Sequence, residues 1–279
     1  MSTSDPNATF AGFDESGGAE APLATTSERF VVGDEVARGG LGRVHRAHDQ
    51  LLDREVAVKM LLRDSGSADA RFRRETLLTA RLQHPNIIPV YDGGEDQEGV
   101  PFLAMRLVHG SSLDQRIADA RTLPDRLALL THVVDACNAV AYAHSQRVTH
   151  RDLKPDNILV GDFGETVVID WGLAKDLDTQ EDLTDLGDGF VVSHSNSLTR
   201  VGSVVGTPAY MPPEQAAGQE VDERADIYAL GAVLYHLATG RRPYEGCDDA
   251  LAAVVAGAPT PVRQLVPPLA PDLASIIAA

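Results

Sequence analysis

The hydrophobic period of this chain changes once, near Gly110, and that change limits the folds open to it. Before it, apolar residues cluster in runs of strand length at 30–37, 43–47, 55–61, 87–91 and 101–108. Asp92-Gly93-Gly94-Glu95 supplies turn chemistry for a hairpin between the last two runs. A single helical pattern, 68–82, interrupts the strands, with Ser67 as its N-cap. After Gly110 the spacing becomes helical. Thr122 and Asp125 have the separation of a capping box. The helix behind them carries Leu127, Leu130, Val134, Cys137, Val140, Ala141 and His144 on one face, which predicts burial along that face. A second long helix is predicted over 223–239, stopping at Gly240. Strands with one helix followed by helices make an α+β chain, read here as a β-rich N-lobe, 29–106, and a mainly α-helical C-lobe, 107–279.

Charge narrows the partners. A formal net charge of -17 sets the chain against nucleic-acid phosphates, so no nucleic-acid partner is expected. Part of that charge lies in residues 1–28, which hold Asp5, Asp14, Glu15, Glu20 and Glu28 without Lys or Arg and read as a disordered leader. Another part lies in an acidic run over 176–188. The two cysteines, Cys137 and Cys247, form no C-x-x-C pair and suit a reducing compartment, with Cys137 expected in the core. No run of eighteen apolar residues or secretory signal is visible. The expected location is therefore cytoplasmic, with a membrane anchor beyond Ala279 left open. The last eight residues open like a helix without a cap, which predicts a chain cut inside a domain.

His150-Arg151-Asp152-Leu153-Lys154-Pro155-Asp156-Asn157 packs an acid, a cation and an amide into one short loop. An acid can accept a hydroxyl proton, a cation can offset charge on a moving phosphoryl group, and an amide oxygen can hold a hard metal ion. Val36-Ala37-Arg38-Gly39-Gly40-Leu41-Gly42-Arg43-Val44 lies between two strand-like runs. Alone it fits a Gly-rich hairpin turn as well as a phosphate cradle. Lys59 ends Val56-Ala57-Val58-Lys59, where a lone lysine is usually a snorkelling edge residue. Glu75, on the predicted helix, could pair with Arg71 or face water.

Taken in order, these segments resemble protein kinases. Residues 150–157 match H-R-D-L-x-x-x-N, Val56 to Lys59 match V-A-I-K, and the glycine segment resembles G-x-G-x-x-G-x-V with Ala37 in place of its first glycine. Lys154 and the segment Gly206-Thr207-Pro208-Ala209-Tyr210-Met211-Pro212-Pro213-Glu214-Gln215 are similar to Ser/Thr kinases, above all bacterial ones. The family's metal-binding triplet is spelled by Asp162-Phe163-Gly164, but this falls in a predicted hairpin turn between 158–160 and 166–169, pointing away from Asn157. Asp170, in Asp170-Trp171-Gly172, is the better match. Trp171 stands for the usual phenylalanine, as a core aromatic or as a reporter of the helix bearing Glu75.

The resemblance implies a two-lobed protein-kinase fold and an ATP-dependent Ser/Thr protein kinase acting on protein hydroxyls. It implies ATP and magnesium, or manganese in its place, as cofactors. Asp152 would act as base, Lys154 would stabilise the phosphoryl group, and Lys59 held by Glu75 would orient the phosphates. Asn157 and Asp170 would bind the metal, and Thr207, in keeping with Ser/Thr specificity, would belong to the catalytic set. Val36 to Val44, Ala57, Met105, Leu107, Val108 and Leu159 would receive the nucleotide. Asp226, in Asp226-Ile227-Tyr228-Ala229-Leu230-Gly231, would anchor the catalytic-loop backbone.

Arg151 and Lys175 could face a phosphate on the activation segment, or Arg151 could only pack the loop. Thr199, then Ser203, are the expected autophosphorylation sites, reached by transient self-association. The alternative is a catalytically silent kinase-fold scaffold or nucleotide-binding module, favoured by Ala37, Trp171 and the abrupt end. A small-molecule kinase is disfavoured by the Ser/Thr-type activation segment.

Overall fold

The computed structural model describes residues 29–38, 42–61, 66–171, 175–176 and 208–278. Outside them lie the predicted leader, Gly39 to Leu41 of the glycine segment, Gly172, the phosphosite candidates Thr199 and Ser203, and Thr207.

The first lobe is a five-stranded antiparallel sheet in the order β1-β2-β3-β5-β4. Its strands are β1 (Phe30–Arg38), β2 (Gly42–Asp49), β3 (Arg54–Leu61), β4 (Val90–Glu95) and β5 (Pro101–Arg106). Val56, Ala57 and Val58 make β3 the buried centre, as expected of β-branched residues on a half-covered pleat. One face buries Phe30, Ala47, Val56, Val58, Phe102 and Ala104, with the Phe30 and Phe102 rings edge to face at 5.8 Å. Helix α1 (Gly66–Arg81) covers the sheet through Phe72, which packs with Leu61 and Leu103.

Two boundaries differ from the sequence reading. Helix α1 starts at Gly66, so Ser67 lies inside the helix and is not its N-cap. The β4–β5 turn is not Asp92-Gly93-Gly94-Glu95; those four residues are paired in β4. The chain reverses at 96–99, where the Asp96 carboxylate accepts from the backbone of Glu98 at 2.9 Å and Val100 at 2.8 Å. A side chain that satisfies two turn amides outcompetes the glycine pair. Ile87 and Ile88, predicted to start a strand, instead run beside Val168 of the second lobe: Val168 N–H donates to Asn86 O and Ile88 N–H to Val168 O.

The second lobe opens with a three-stranded sheet, β6 (Gly110–Ser112), β8 (Ile158–Gly161) and β9 (Thr166–Val168), in the order β6-β8-β9. Gly110 has φ 155, and a Cβ there would stand 2.1 Å from Val160 O, so only glycine lets the connection between lobes lie on β8. Strand β7 (Val148–Thr149) pairs with β10 (Lys175–Asp176). The helices are α2 (Leu113–Asp119), α3 (Leu123–Leu127), α4 (Leu130–Ser145), α5 (Pro213–Ala216), α6 (Arg224–Thr239), α7 (Ala250–Ala256), α8 (Val262–Leu265) and α9 (Pro271–Ile277). Thr122 and Asp125 form the capping box of α3, and α6 stops at Gly240 with φ 70.

The predicted single helix behind Thr122 is two, parted at Ala128 and Leu129, and its buried face is rotated. Val133, Ala136, Ala139, Val140 and Ala143 are the buried residues of α4. Val134 is 58% exposed and Ala141 is exposed, while Cys137 is half-buried against the core, where burial raises its thiol pKa. Small alanines face inward because α4 packs closely on α6 and β9. The main core joins the lobes: Leu78 and Leu82 of α1, Ile87, Trp171, and the inner faces of α2, α4, α6 and the β8–β9 hairpin form one buried cluster.

Candidate active site

Strand register aligns part of the nucleotide set before any side-chain contact is considered. Ala37 pairs with Val44, Val44 with Lys59, and Ala57 with Met105. Lys59 and Ala57 are two residues apart on β3, so they share one face of the sheet. Ala57 is buried, Val44, Met105, Leu107, Val108 and Leu159 are half-buried, and Val36 is exposed. Gly42 has a reason of its own to be glycine: a Cβ would lie 2.4 Å from Met60 O.

Lys59 Nζ donates to Glu75 Oε1 at 2.5 Å and to Asp170 Oδ1 at 3.1 Å. Burial lowers the lysine pKa, but the two carboxylates outweigh it and the net shift is upward, so the ammonium is firmly charged. Asp170 is held low chiefly by the charge of Lys59. Glu75 is 4% exposed. A buried glutamate paired across from helix to strand is no surface residue of α1.

Below this trio lies the loop 150–157. Lys154 Nζ donates to Asp152 Oδ2 at 2.7 Å. Asn157 Nδ2 donates to Asp152 O at 2.8 Å, leaving its Oδ1 to face another partner. Ile169 N–H donates to Asn157 O at 2.9 Å, so the residue before Asp170 is tied to Asn157. Asp170 has φ 62, a left-handed conformation that carries strain in a non-glycine residue and turns its side chain toward Lys59. Asp162-Phe163-Gly164 forms the turn of the β8–β9 hairpin, with Phe163 98% exposed.

Asp226, buried on α6, holds the loop from beneath. Its carboxylate accepts from His150 N–H, Arg151 N–H and His144 Nε2, each at 2.8 Å. Burial raises its pKa, but these donors more than offset that and the net shift is downward. His150 links the two halves of the site. Its Nδ1 faces the Asp152 N–H at 3.3 Å and therefore accepts, which leaves Nε2–H to donate to Ile169 O at 3.1 Å. The Trp171 ring lies 4.7 Å from the His150 ring in the same core as Leu78 and Leu82, and its Nε1 has no hydrogen-bond partner among the described residues. Burial lowers the pKa of Arg151, and Asp226 opposes that shift.

Sequence reasoning missed two contributors. His144 was placed on a helix face, yet it ligates Asp226. Gln215 closes the segment similar to bacterial Ser/Thr kinases without a role of its own there, yet its Nε2 donates to Arg151 O at 3.0 Å. The His144 spacing relative to Asp226 carries no local signal, because the contact joins two helices.

A strand-rich lobe with one helix, a helical lobe, and a Lys-Glu-Asp trio above an Asp-Lys-Asn loop define a two-lobed protein kinase domain. The family model described as "Protein kinase domain" matches residues 30–258, and the chain belongs to that family as a eukaryotic-like Ser/Thr kinase catalytic domain. It is 37% identical over 257 residues to a probable serine/threonine-protein kinase of Corynebacterium efficiens, covering 89% of this chain and 36% of that protein. The serine/threonine-protein kinase PknD of Protochlamydia amoebophila is 37% identical over 239 residues, 80% of this chain and 24% of that one. PknB of Mycobacterium leprae is 37% identical over 226 residues, covering 79% and 34%. The chain thus spans about a third or less of the length of these relatives. Among the described residues no helix is long and apolar enough to cross a membrane.

Proposed function

We propose that the chain is an ATP-dependent serine/threonine protein kinase domain that transfers the γ-phosphoryl group to protein hydroxyls. The observation that carries this reading is Lys59 bridging Glu75 and Asp170, with the residue before Asp170 hydrogen-bonded to Asn157 of the loop that holds the Asp152–Lys154 pair. Asp152 accepts the proton of the substrate hydroxyl, and its carboxylate is aimed by Lys154 and by the backbone held on Asp226. Lys154 then offsets negative charge on the group in transfer. Lys59, kept charged by its two acids, fixes the nucleotide phosphates, with Glu75 fixing Lys59. The residues present fit a hard divalent cation: the amide oxygen of Asn157, without a hydrogen-bond partner among the described residues, and the ionised Asp170 are oxygen donors of the type magnesium or manganese takes. Such an ion, when bound, neutralises phosphate charge; Asn157 and Asp170 would hold it. The adenine would rest against Val36, Val44, Ala57 and Leu159, with the link from Arg106 to Val108 offering backbone groups and Met105 at the back.

Thr207 belongs to the catalytic set by its place in the Ser/Thr-type segment, and Thr199 and Ser203 are the sites of autophosphorylation, reached by transient self-association. The relatives named serine/threonine-protein kinases support the choice of protein hydroxyls as acceptors. The scaffold reading keeps two supports, Ala37 and Trp171, but no polar group of the transfer set is absent. Transfer of label from γ-labelled ATP to protein serine or threonine, wild type against Asp152→Ala, tests the proposal. Wild-type incorporation with a loss of about a hundredfold or more in the variant is expected; equal incorporation by both would refute it.

A further inference from the structure

Arg151 stands in the left-handed region, with φ 68. A long, non-glycine side chain persists there only where surrounding groups over-determine the backbone. Here both of its peptide groups are held. Its N–H donates to Asp226 Oδ1 at 2.8 Å, and its carbonyl accepts from Gln215 Nε2 at 3.0 Å. The second contact joins residues 64 positions apart and bolts α5 to the loop. The peptide plane it fixes is the one between Arg151 and Asp152. The other edge of that plane, the Asp152 N–H, faces His150 Nδ1 at 3.3 Å. A cavity of about 10 Å³ lies alongside, walled by Arg151, Asp152, Tyr210, Met211, Gln215 and neighbours, with room for about one water.

We infer that Gln215 is a positioning residue for phosphoryl transfer: its amide donor fixes the Arg151–Asp152 peptide plane and so aims the Asp152 carboxylate. The inference rests on the kinase reading above. Rotation of that plane would swing Asp152 relative to a bound hydroxyl, and displacements of about 1 Å can cost about a hundredfold in rate. It also makes the end of the activation segment a mechanical support of the catalytic loop.

The chemistry of the contact separates positioning from mere packing. Leucine matches glutamine in size but donates nothing, so Q215L leaves the Arg151 carbonyl unpaired. Q215A enlarges a space that already has room for a water, and that water can donate in place of the amide. Q215E presents an acceptor to an acceptor when ionised and regains a donor when protonated.

The test uses the full chain, with steady-state transfer from labelled ATP and amide hydrogen exchange across the catalytic loop. Q215L should lower kcat about tenfold, the order of one unmade buried hydrogen bond, with the KM for ATP changed less than about twofold. Q215A should lose less than Q215L. The ratio of Q215E to wild-type kcat should rise as pH is lowered from about 7 to about 5, toward the ordinary glutamate pKa of about 4.3, as the carboxyl begins to protonate. The Arg151 and Asp152 amides should exchange faster in Q215L. Wild-type kcat and unchanged exchange in Q215L, or a flat Q215E ratio, would overturn the inference. If Q215L fails to fold, the Q215E pH comparison decides. If the wild type transfers no phosphate, the kinase reading falls by itself and the exchange comparison alone decides the role of Gln215.

Discussion

Asp49 has no exposed side-chain surface and is ionised nonetheless. The hydrogen-bonding Arg29 guanidinium, at 2.8 Å from each carboxylate oxygen, is the main cause; burial opposes it, and Arg54 adds a weaker contact at 3.4 Å. The pKa is lowered from 3.8 to about 2. A depressed carboxylate stabilises the fold above its unfolded pKa and loses that contribution as pH falls through the folded value. Asp49→Asn should therefore destabilise by about 2 kcal/mol at pH 7, and the gap from wild type should close between about pH 4 and about pH 2. Urea denaturation at several pH values checks this; a gap constant across that window would contradict it. Arg29 also reaches Asp92 of β4 at 2.9 Å, so the pair ties both edges of the first sheet. Nothing in the sequence marks Asp49 for this task, because its chief partner, Arg29, lies ahead of β1 and meets it only once β1 and β2 are paired. Lys59 and Asp170 were legible for the opposite reason, because each sits in a recognisable local motif; Glu75 was legible only through Lys59, as the acid on the helix that follows it. Gln215 and His144 act through tertiary contacts with backbone or helix, and so had no local signal.

Among elements, α4 separates pattern from packing. Of the expected stripe, Val140 is buried and Leu130 and Cys137 are half-buried against the core, while Val134 and Ala141 are exposed. The buried stripe holds three alanines, Ala136, Ala139 and Ala143, of little hydrophobic weight, chosen because neighbouring elements approach closely. Val133→Ala should cost about 1–3 kcal/mol, whereas Val134→Lys should change stability by less than about 0.5 kcal/mol. Thermal unfolding of the two variants distinguishes the faces; the reverse ranking would restore the original stripe. The β4–β5 hairpin teaches a similar lesson. Its second strand was visible as an apolar run, but the first was expected over 87–91, and Gly93 and Gly94 looked like the turn because their backbone freedom is a local property. The Asp96 carboxylate, which caps two amides once the chain has reversed, decided the register. The stop of α6 at Gly240 and the Thr122 capping box were readable because caps are local chemistry.

Across the whole molecule, the lobes meet through a core and through polar contacts of unequal weight. The Arg106–Glu165 pair, 2.8 Å apart but partly exposed, is worth about 1 kcal/mol at most. The continuous apolar cluster from Leu78 through Ile87 and Trp171 to α4 and α6 carries more, because it removes large side chains from water on both sides of the cleft. The two-lobed division was legible from the change of period at Gly110. The site between the lobes depended on topology: the hairpin carries Asp162 to its solvent-exposed end and returns the chain to Asn157 before Asp170 appears. The two acids thus make opposite predictions from the same three-letter resemblance. Magnesium-dependent transfer from labelled ATP should fall about a hundredfold or more in Asp170→Asn and stay within about twofold of wild type in Asp162→Asn. Loss in Asp162→Asn with activity retained in Asp170→Asn would contradict the account at its centre.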